Sequence, residues 1–176
     1  LFFMYPPAAA LLYLPFGLLS WPSAWLLHQV LSHAALWALV GLWLWRGLPR
    51  EAAAEERLAV AAMILLFFPV YYALQIGQSE PLILCLLTGS LIGLRRGREA
   101  WPALCLAVAI VLKLFLGLLL LHYALRRRPR YVLWCLLWLG LLSAAALPAV
   151  PWEAQVAYWR RVSSPLGIEA FYDNQS

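Results

Sequence analysis

The sequence predicts an all-α fold, a polytopic bundle of transmembrane helices, and three observations lead to this. First, 65% of the 176 residues are hydrophobic and 12% are charged, against about 45 to 50% apolar and about 25% charged in soluble domains. Second, the apolar residues form long runs on the scale of a bilayer crossing. Third, 12 of the 13 basic residues are arginines, gathered between those runs, as in cytoplasmic loops. A soluble domain is excluded, and no nucleic-acid partner is expected.

Four apolar runs are predicted as crossings, because a bilayer core about 30 Å thick needs roughly 20 helical residues. They are residues 24–45, 58–74, 81–94 and 131–150. The third run is short, and its crossing must include some of the polar residues that flank it. An earlier run, residues 8–19, is too short to cross and is interrupted by Pro15. We expect it to lie along the membrane surface.

Residues 101–125 are long enough for a single crossing, but arginines flank both ends and Lys113 lies in the middle. One crossing would place positive clusters on both sides and bury a lysine at a cost of about 2.5 to 3.5 kcal/mol. Two half-length helices with Lys113 at the apex avoid both problems. The pattern therefore favours a re-entrant or short-helix hairpin, whose apex must be buried in protein or line a watery cavity.

With this hairpin, ten of the 13 basic residues fall in cytoplasmic loops; Arg160 and Arg161 are exceptions. Polar residues that are hard to explain as solvated loop then share the outer side. They are Tyr5, Gln75, Gln78, Ser79, Glu80, Lys113, Glu153, Asn174 and Gln175. Trp152, Tyr158 and Trp159 are expected to anchor the chain at the interface.

The turn at residues 75–81 has two interpretations that the pattern does not separate. Gly77 and Pro81 could simply punctuate a hydrated hairpin, or the amides and carboxylate could bind a polar ligand such as a sugar. Lys113, the one lysine of the chain, has no acidic residue near it in sequence. It is predicted to bind a phosphate as a point charge, the alternative being an ammonium that reaches out to the outer interface.

Other chemistry has no signature in the sequence. His28 and His33 lie about 140° apart on a helix, which does not suit a metal pair, and they are expected to be partnered polar residues between helices. The three cysteines lie in apolar runs without ligand spacing and are predicted to be small buried hydrophobes. No P-loop, dinucleotide fingerprint or nucleophilic triad is present. We expect neither a metal nor a cofactor.

The order of these features resembles the C-type superfamily of membrane glycosyltransferases, and more narrowly glycosyltransferase family 87, the polyprenyl-phosphate-mannose-dependent mannosyltransferases of bacteria. Four segments carry the resemblance, which covers nearly all of the chain. They are Tyr5-Pro6-Pro7 before a short apolar helix, Gly77-Gln78-Ser79-Glu80-Pro81, Leu112-Lys113 between arginine clusters, and Asp173-Asn174-Gln175-Ser176.

The resemblance implies an integral membrane hexosyltransferase of the bacterial plasma membrane, with its active site on the outer face. It would transfer a sugar, mannose in the first place, from a polyprenyl-phosphate donor to a hydroxyl of a lipid or glycan acceptor. Membrane lipids are the remaining expected partners. Lys113 would bind the donor phosphate. The residues Tyr5, Gln75, Gln78, Ser79, Glu80, Asn174 and Gln175 are candidates for the substrate cleft.

Such families use a carboxylate in the first outer loop as base on the acceptor hydroxyl. The resemblance places that loop upstream of Leu1, so we expect residues 1–176 to be a single membrane domain and a fragment. It would lack an N-terminal span with the first outer loop, and C-terminal spans, and its catalytic base is unknown. The alternative from another class is a lipid or small-solute transporter or flippase. That class is expected to show paired broken spans in two halves, whereas the sequence indicates one hairpin.

Overall fold

The computed structural model describes residues 6–162, and this part of the chain is built from helices joined by short turns. In chain order the helices are α1 (Ala10–Gly17), α2 (Trp21–Leu42), α3 (Ala54–Leu65), α4 (Phe68–Gln75), α5 (Glu80–Arg95), α6 (Ala100–Leu112), α7 (Leu118–Leu125), α8 (Pro129–Ala146) and α9 (Trp152–Val162). A 3₁₀ turn, Pro7–Ala9, precedes α1. The predicted all-α class is confirmed.

Two helices of residues 6–162 are long and apolar enough to cross a membrane. One is α2 with its π-helical continuation Trp43–Gly47, and the other is α8. Helices α3 and α4 form a third candidate span if taken together. They are bent by 42°, where the sequence predicted one continuous crossing. Pro69 explains the break, because its ring clashes with the carbonyl four residues earlier and it has no N–H to donate.

Residues 81–94, predicted as a crossing, lie in helix α5, which has 16 residues and is not among the helices of residues 6–162 that are long and apolar enough to cross a membrane. At a rise of 1.5 Å per residue it is about 24 Å long, shorter than a bilayer core about 30 Å thick. Its fit therefore depends on its polar ends. Glu80 begins the helix and Arg95 ends it, and the long side chain of Arg95 extends its charged group toward water.

The loop between α2 and α3 is held by the guanidinium of Arg57. Its Nη1 donates to the carbonyl of Leu44 at 2.6 Å, and its Nη2 donates to the carbonyls of Pro49 at 3.3 Å and Arg50 at 3.1 Å. These carbonyls lie at or beyond a helix end, where no intrahelical donor is available. One of the predicted cytoplasmic arginines, in the first turn of α3, thus stabilises the loop that precedes its helix.

Helices α5 and α6 pack closely because small residues face the contact. Gly93 and Gly89, four residues apart on α5, lie against Trp101 and Pro102 of α6. Glycines at this spacing allow two helix backbones to approach closely in a membrane. The packing fixes α5 and α6 antiparallel, with Ile83 at one end of the contact beside Leu112.

Residues 101–125 form a hairpin rather than one crossing. Helix α6 ends at Leu112, Lys113 is extended (φ −140°, ψ 101°), and a 3₁₀ turn at Leu114–Gly117 leads into α7. The ring of Tyr123, near the end of α7, lies 4.8 Å from the ring of Tyr131. The Tyr131 hydroxyl donates to the carbonyl of Pro102 at 3.4 Å. The two ends of the segment therefore meet, which confirms the predicted hairpin.

The core of this region centres on Tyr131, which is completely buried. Its hydroxyl lies 2.6 Å from the Ser90 hydroxyl, and its ring packs in a cluster with Leu94, Leu106 and Cys135. The hydroxyl therefore ties α5, α6 and α8 together at one level. Cys135 is buried and Cys85 and Cys105 are half-buried, as expected for small hydrophobes in apolar runs.

The bundle consequently has two ends. We call one of them the arginine end. Helices α2, α5 and α7 end at this level, and helices α3, α6 and α8 begin there. The Tyr131 contacts set this level for the arginines at residues 95–98 and 126–130. Helix α2 begins beside Gly77 at the opposite level and therefore runs toward the arginine end, where Arg46 follows it. We call the lysine end the opposite level, which contains the turn at residues 76–79, Lys113 and the last turn of α8, where Ala146 packs against Val111.

Candidate functional site

The backbone at Lys113 is interrupted but fully hydrogen-bonded. Its N–H donates to the carbonyl of Ala109 at 2.8 Å, and its carbonyl accepts from the N–H of Leu116 at 3.0 Å. These two bonds satisfy both backbone groups of Lys113 itself, as a re-entrant apex requires. The side chain is 32% exposed, so the ammonium remains accessible at the lysine end.

Lys113 forms an ion pair with Glu80, the first residue of α5. No acidic residue lies near this lysine in the sequence, and the pair forms only in three dimensions. The antiparallel packing of α5 and α6 brings residues 33 positions apart into contact. An ammonium in an apolar bundle is stabilised by a nearby carboxylate, which replaces part of its lost hydration.

Gln78 completes what we call the apex cluster, defined as Lys113, Glu80 and Gln78. With its amide nitrogen turned toward the carboxylate, Gln78 donates to Oε1 of Glu80 at 2.6 Å and to Oε2 at 3.1 Å. The carboxylate thus accepts from an ammonium and an amide. The structure brings these three predicted site residues together, although they come from a turn, a helix start and a hairpin apex.

Ser79 lies beside the cluster but is 5% exposed. Its hydroxyl lies 2.8 Å from the hydroxyl of Tyr13 on α1. Its side chain is therefore engaged within the protein. Tyr13 was not selected from the sequence, where the one available signal was a hydroxyl-bearing ring in an otherwise apolar short helix. It attaches α1 to the turn that carries Gln78 and Glu80.

The remaining polar residues predicted on the outer side lie elsewhere or outside the described range. Gln75 donates through Nε2 to the hydroxyl of Tyr71 at 2.9 Å, one turn back on its own helix, and is exposed. Glu153 is exposed on α9. Tyr5, Asn174 and Gln175 lie outside residues 6–162.

Gly77 shapes the turn that presents the cluster. Its φ is +71°, a conformation that side-chain-bearing residues adopt at a cost. A Cβ at this position would also approach within 2.8 Å of Cη2 of Trp25. Both the backbone conformation and the contact with α2 thus require glycine, and the turn is held against α2.

A cavity of about 220 Å³ adjoins the hairpin apex. Val111 and Leu114, on either side of Lys113, contribute to its wall, together with Leu139 and Ser143 of α8 and Trp159 of α9. Most of these side chains are apolar, so the cavity suits a hydrocarbon better than a sugar. The neighbours of Lys113 in the chain thus line an apolar space, although Lys113 itself is not part of its wall.

Helix α9 covers part of this cavity with one face. Gln155 and Trp159 line the cavity, and the Gln155 amide donates to the carbonyl of Val150 at 2.9 Å. Burial raises the pKa of the neighbouring Tyr158 hydroxyl. Trp152 is exposed, as expected for an aromatic residue at a membrane interface.

The two histidines of α2 have different environments. Nδ1 of His33 lies 2.8 Å from the carbonyl of Gln29 in the same helix, and the ring of His28 stacks on Trp25. Neither contact joins two helices through a histidine hydrogen bond. Within residues 6–162, no group of three or more His, Cys, Asp or Glu residues is placed to hold a metal ion.

The fold and the apex cluster define a class of protein: an all-α membrane protein with a charged, accessible site at one end of its helical bundle. Residues 3–176 match glycosyltransferase family 87. The chain belongs to this family, which confirms the resemblance drawn from its motifs, and it is a glycosyltransferase. No curated protein and no solved structure matches it.

Proposed function

We propose that the protein is an integral membrane hexosyltransferase that takes its sugar, mannose in the first place, from a polyprenyl-phosphate donor. The acceptor is a hydroxyl of a lipid or glycan on the outer face of the bacterial plasma membrane. The observation that carries this proposal is the position of Lys113. Its ammonium is accessible at the apex of a half-length hairpin, and residues on both sides of it in the chain line an apolar cavity.

A polyprenyl-phosphate sugar has a long hydrocarbon tail joined to an anionic phosphate, and these two parts need opposite surroundings. The cavity beside Val111 and Leu114 offers an apolar space, and the ammonium of Lys113 offers a cation for the phosphate. We assign the donor phosphate to Lys113. The part of the hydrocarbon tail nearest to the phosphate is assigned to the cavity. Membrane lipids surround the remaining tail.

The proposed outer location follows from charge. The three arginine clusters share the arginine end of the bundle, and basic loops favour the cytoplasmic side. The lysine end then faces outward, where a lipid-linked sugar is available without a nucleotide. No observation on the described residues favours the transporter alternative.

In the proposed reaction the bond between the anomeric carbon and the phosphate oxygen breaks, and its electron pair stays on the phosphate. The acceptor oxygen forms the new bond to the anomeric carbon and loses its proton to a base. The phosphate changes from a monoanionic diester to a monoester that carries up to two negative charges. An ammonium in contact with it stabilises this developing charge. Glu80 is held by Lys113 and Gln78, so we assign it no role as base.

Lys113→Met alone would leave the Glu80 carboxylate without its cation, so the phosphate assignment is tested in a neutral background. The full-length Glu80→Gln protein is compared with the Glu80→Gln, Lys113→Met double variant. A charge-assisted contact is worth about 1.5 to 3 kcal/mol, so we expect donor use, as kcat/KM, to fall about ten- to a hundredfold in the double variant. Arg96→Gln, which removes one cation at the opposite end, is the control and should retain full activity.

Transfer is measured with polyprenyl-phosphate-mannose, polyprenyl-phosphate-glucose and GDP-mannose as donors. We expect transfer from the first and none from the nucleotide sugar. Direct transfer from GDP-mannose would contradict the proposal. Equal activity of the Glu80→Gln variant and the Glu80→Gln, Lys113→Met double variant would contradict it as well. Preference for glucose would replace mannose and leave the donor class intact.

A further inference from the structure

The ammonium of Lys113 contacts a carboxylate of the protein itself, that of Glu80. A donor phosphate that binds Lys113 must therefore compete with a negative group of the protein itself. Both side chains are partly exposed, 32% for Lys113 and 23% for Glu80. An incoming anion can therefore reach the pair without the helices separating.

We propose that Glu80 is an internal counter-ion that exchanges with the donor phosphate on Lys113 in every catalytic cycle. This inference rests on the proposed function and adds a role for Glu80 within the same site. Before the donor binds, the carboxylate neutralises the ammonium. When the phosphate arrives, the carboxylate withdraws, and it returns when the polyprenyl phosphate product leaves.

The displaced carboxylate has a favourable place to remain. Glu80 is the first residue of α5, where unpaired backbone N–H groups and the helix dipole stabilise a negative charge by about 0.3 to 1 kcal/mol. The amide of Gln78 also continues to donate to it, because both of its contacts with Glu80 are independent of Lys113. Withdrawal therefore removes one of several stabilising contacts and leaves no bare buried charge.

The exchange has its largest effect on product release. The donor phosphate carries one negative charge and the released monoester carries up to two, so Lys113 attracts the product more strongly than the donor. A returning carboxylate competes for the same ammonium and counteracts this attraction. Glu80 is in this sense a positioning residue, since it acts through Lys113 and touches neither the sugar nor the reacting atoms.

Glu80→Gln keeps the shape of the side chain and removes its charge. We expect the variant to bind a short isoprenoid phosphate, farnesyl phosphate, about fivefold more tightly than the wild type. This ratio corresponds to the energy of one partly exposed ion pair, which the phosphate no longer has to break. The KM for donor should fall, and the inhibition constant for polyprenyl phosphate should fall further, so that kcat decreases as release slows. Glu153→Gln, which removes one carboxylate from the exposed surface of α9, is the control for net charge and should change none of these values.

A purely structural pair predicts the opposite: loss of Glu80 would loosen the apex, raise the donor KM and weaken farnesyl phosphate binding. Glu80→Asp provides a second measurement if the neutral variant does not fold. It keeps the charge at the helix start but shortens its reach, and we expect about twofold tighter binding.

The outcomes separate this inference from the proposed function. If the wild type binds farnesyl phosphate and Glu80→Gln binds it equally or more weakly, the exchange is refuted and the phosphate assignment of Lys113 stands. If the double variant without Lys113 binds as tightly as Glu80→Gln, or if none of the proteins binds, the phosphate assignment fails and the exchange fails with it. Tighter binding by Glu80→Gln that is lost with Lys113 supports both.

Discussion

Replacement of Gly93 by alanine tests whether close packing of α5 against α6 holds the site together. A Cβ at this position would lie 2.8 Å from Cζ2 of Trp101 and closer still to Cγ of Pro102. Non-bonded carbons prefer about 3.5 to 4.0 Å, so the helices must separate by roughly 1 Å. The proline ring cannot rotate away, and overpacking of this kind costs about 1 to 3 kcal/mol.

Gly89→Ala is the matched control on the same helix. Its Cβ would lie 3.7 Å from Cζ3 of Trp101 and 3.9 Å from Sγ of Cys105, which are ordinary contact distances. Both substitutions gain the same helix propensity, up to about 1 kcal/mol, and this gain cancels in the comparison. We therefore expect Gly93→Ala to be less stable than Gly89→Ala by about 1 to 3 kcal/mol.

The assay is reversible unfolding of the two full-length variants in mixed micelles, followed by sugar transfer. Glu80 lies thirteen residues before Gly93, about 20 Å along α5 at 1.5 Å per residue. A displacement at Gly93 therefore alters the contact of Glu80 with Lys113, and we expect the less stable variant to lose activity as well. Equal stability of the two variants, or a more stable Gly93→Ala, would refute the packing argument.

Two further predictions concern the hairpin. Single cysteines at Gly97 and Pro129 should both be labelled by a membrane-impermeant reagent only from the cytoplasmic side; labelling from opposite sides would mean that the segment between them crosses the membrane. Tyr131→Phe and Ser90→Ala should each destabilise the protein, and the double variant should lose less than the sum, with a coupling energy of about 0.6 to 1.7 kcal/mol from a double-mutant cycle. Additive effects would show that the hydroxyl pair at 2.6 Å does not stabilise the packing of α5 against α8, which holds the hairpin in place.

The sequence by itself determined the class of fold and much of the topology. Run length and arginine position are one-dimensional quantities, and the bilayer converts them directly into spans and sides. The hairpin at residues 101–125 followed from them, because a single crossing conflicted with both the arginines and Lys113. The family was also recognisable from the order of short motifs.

Some local features needed more than run length. The bend between α3 and α4 depends on how Pro69 is accommodated, since a proline can kink a helix or end it. The end of α2 likewise depends on tertiary contacts, because Arg57 donates to the carbonyl of Leu44 and to the loop that follows. Hydropathy reports neither effect.

The site itself was decided by tertiary structure. The pair Lys113 and Glu80 and the pair Tyr13 and Ser79 are separated by 33 and 66 residues, and their contact depends on the rotation and axial offset of packed helices. The mean hydropathy of a segment is an average over all sides of its helix, so it is nearly the same whichever side faces a neighbouring helix. Small residues such as Gly93 set how closely α5 approaches α6 and help to fix their axial offset. That offset determines that the lysine at the hairpin apex meets a carboxylate, whereas the sequence indicated an unpaired cation.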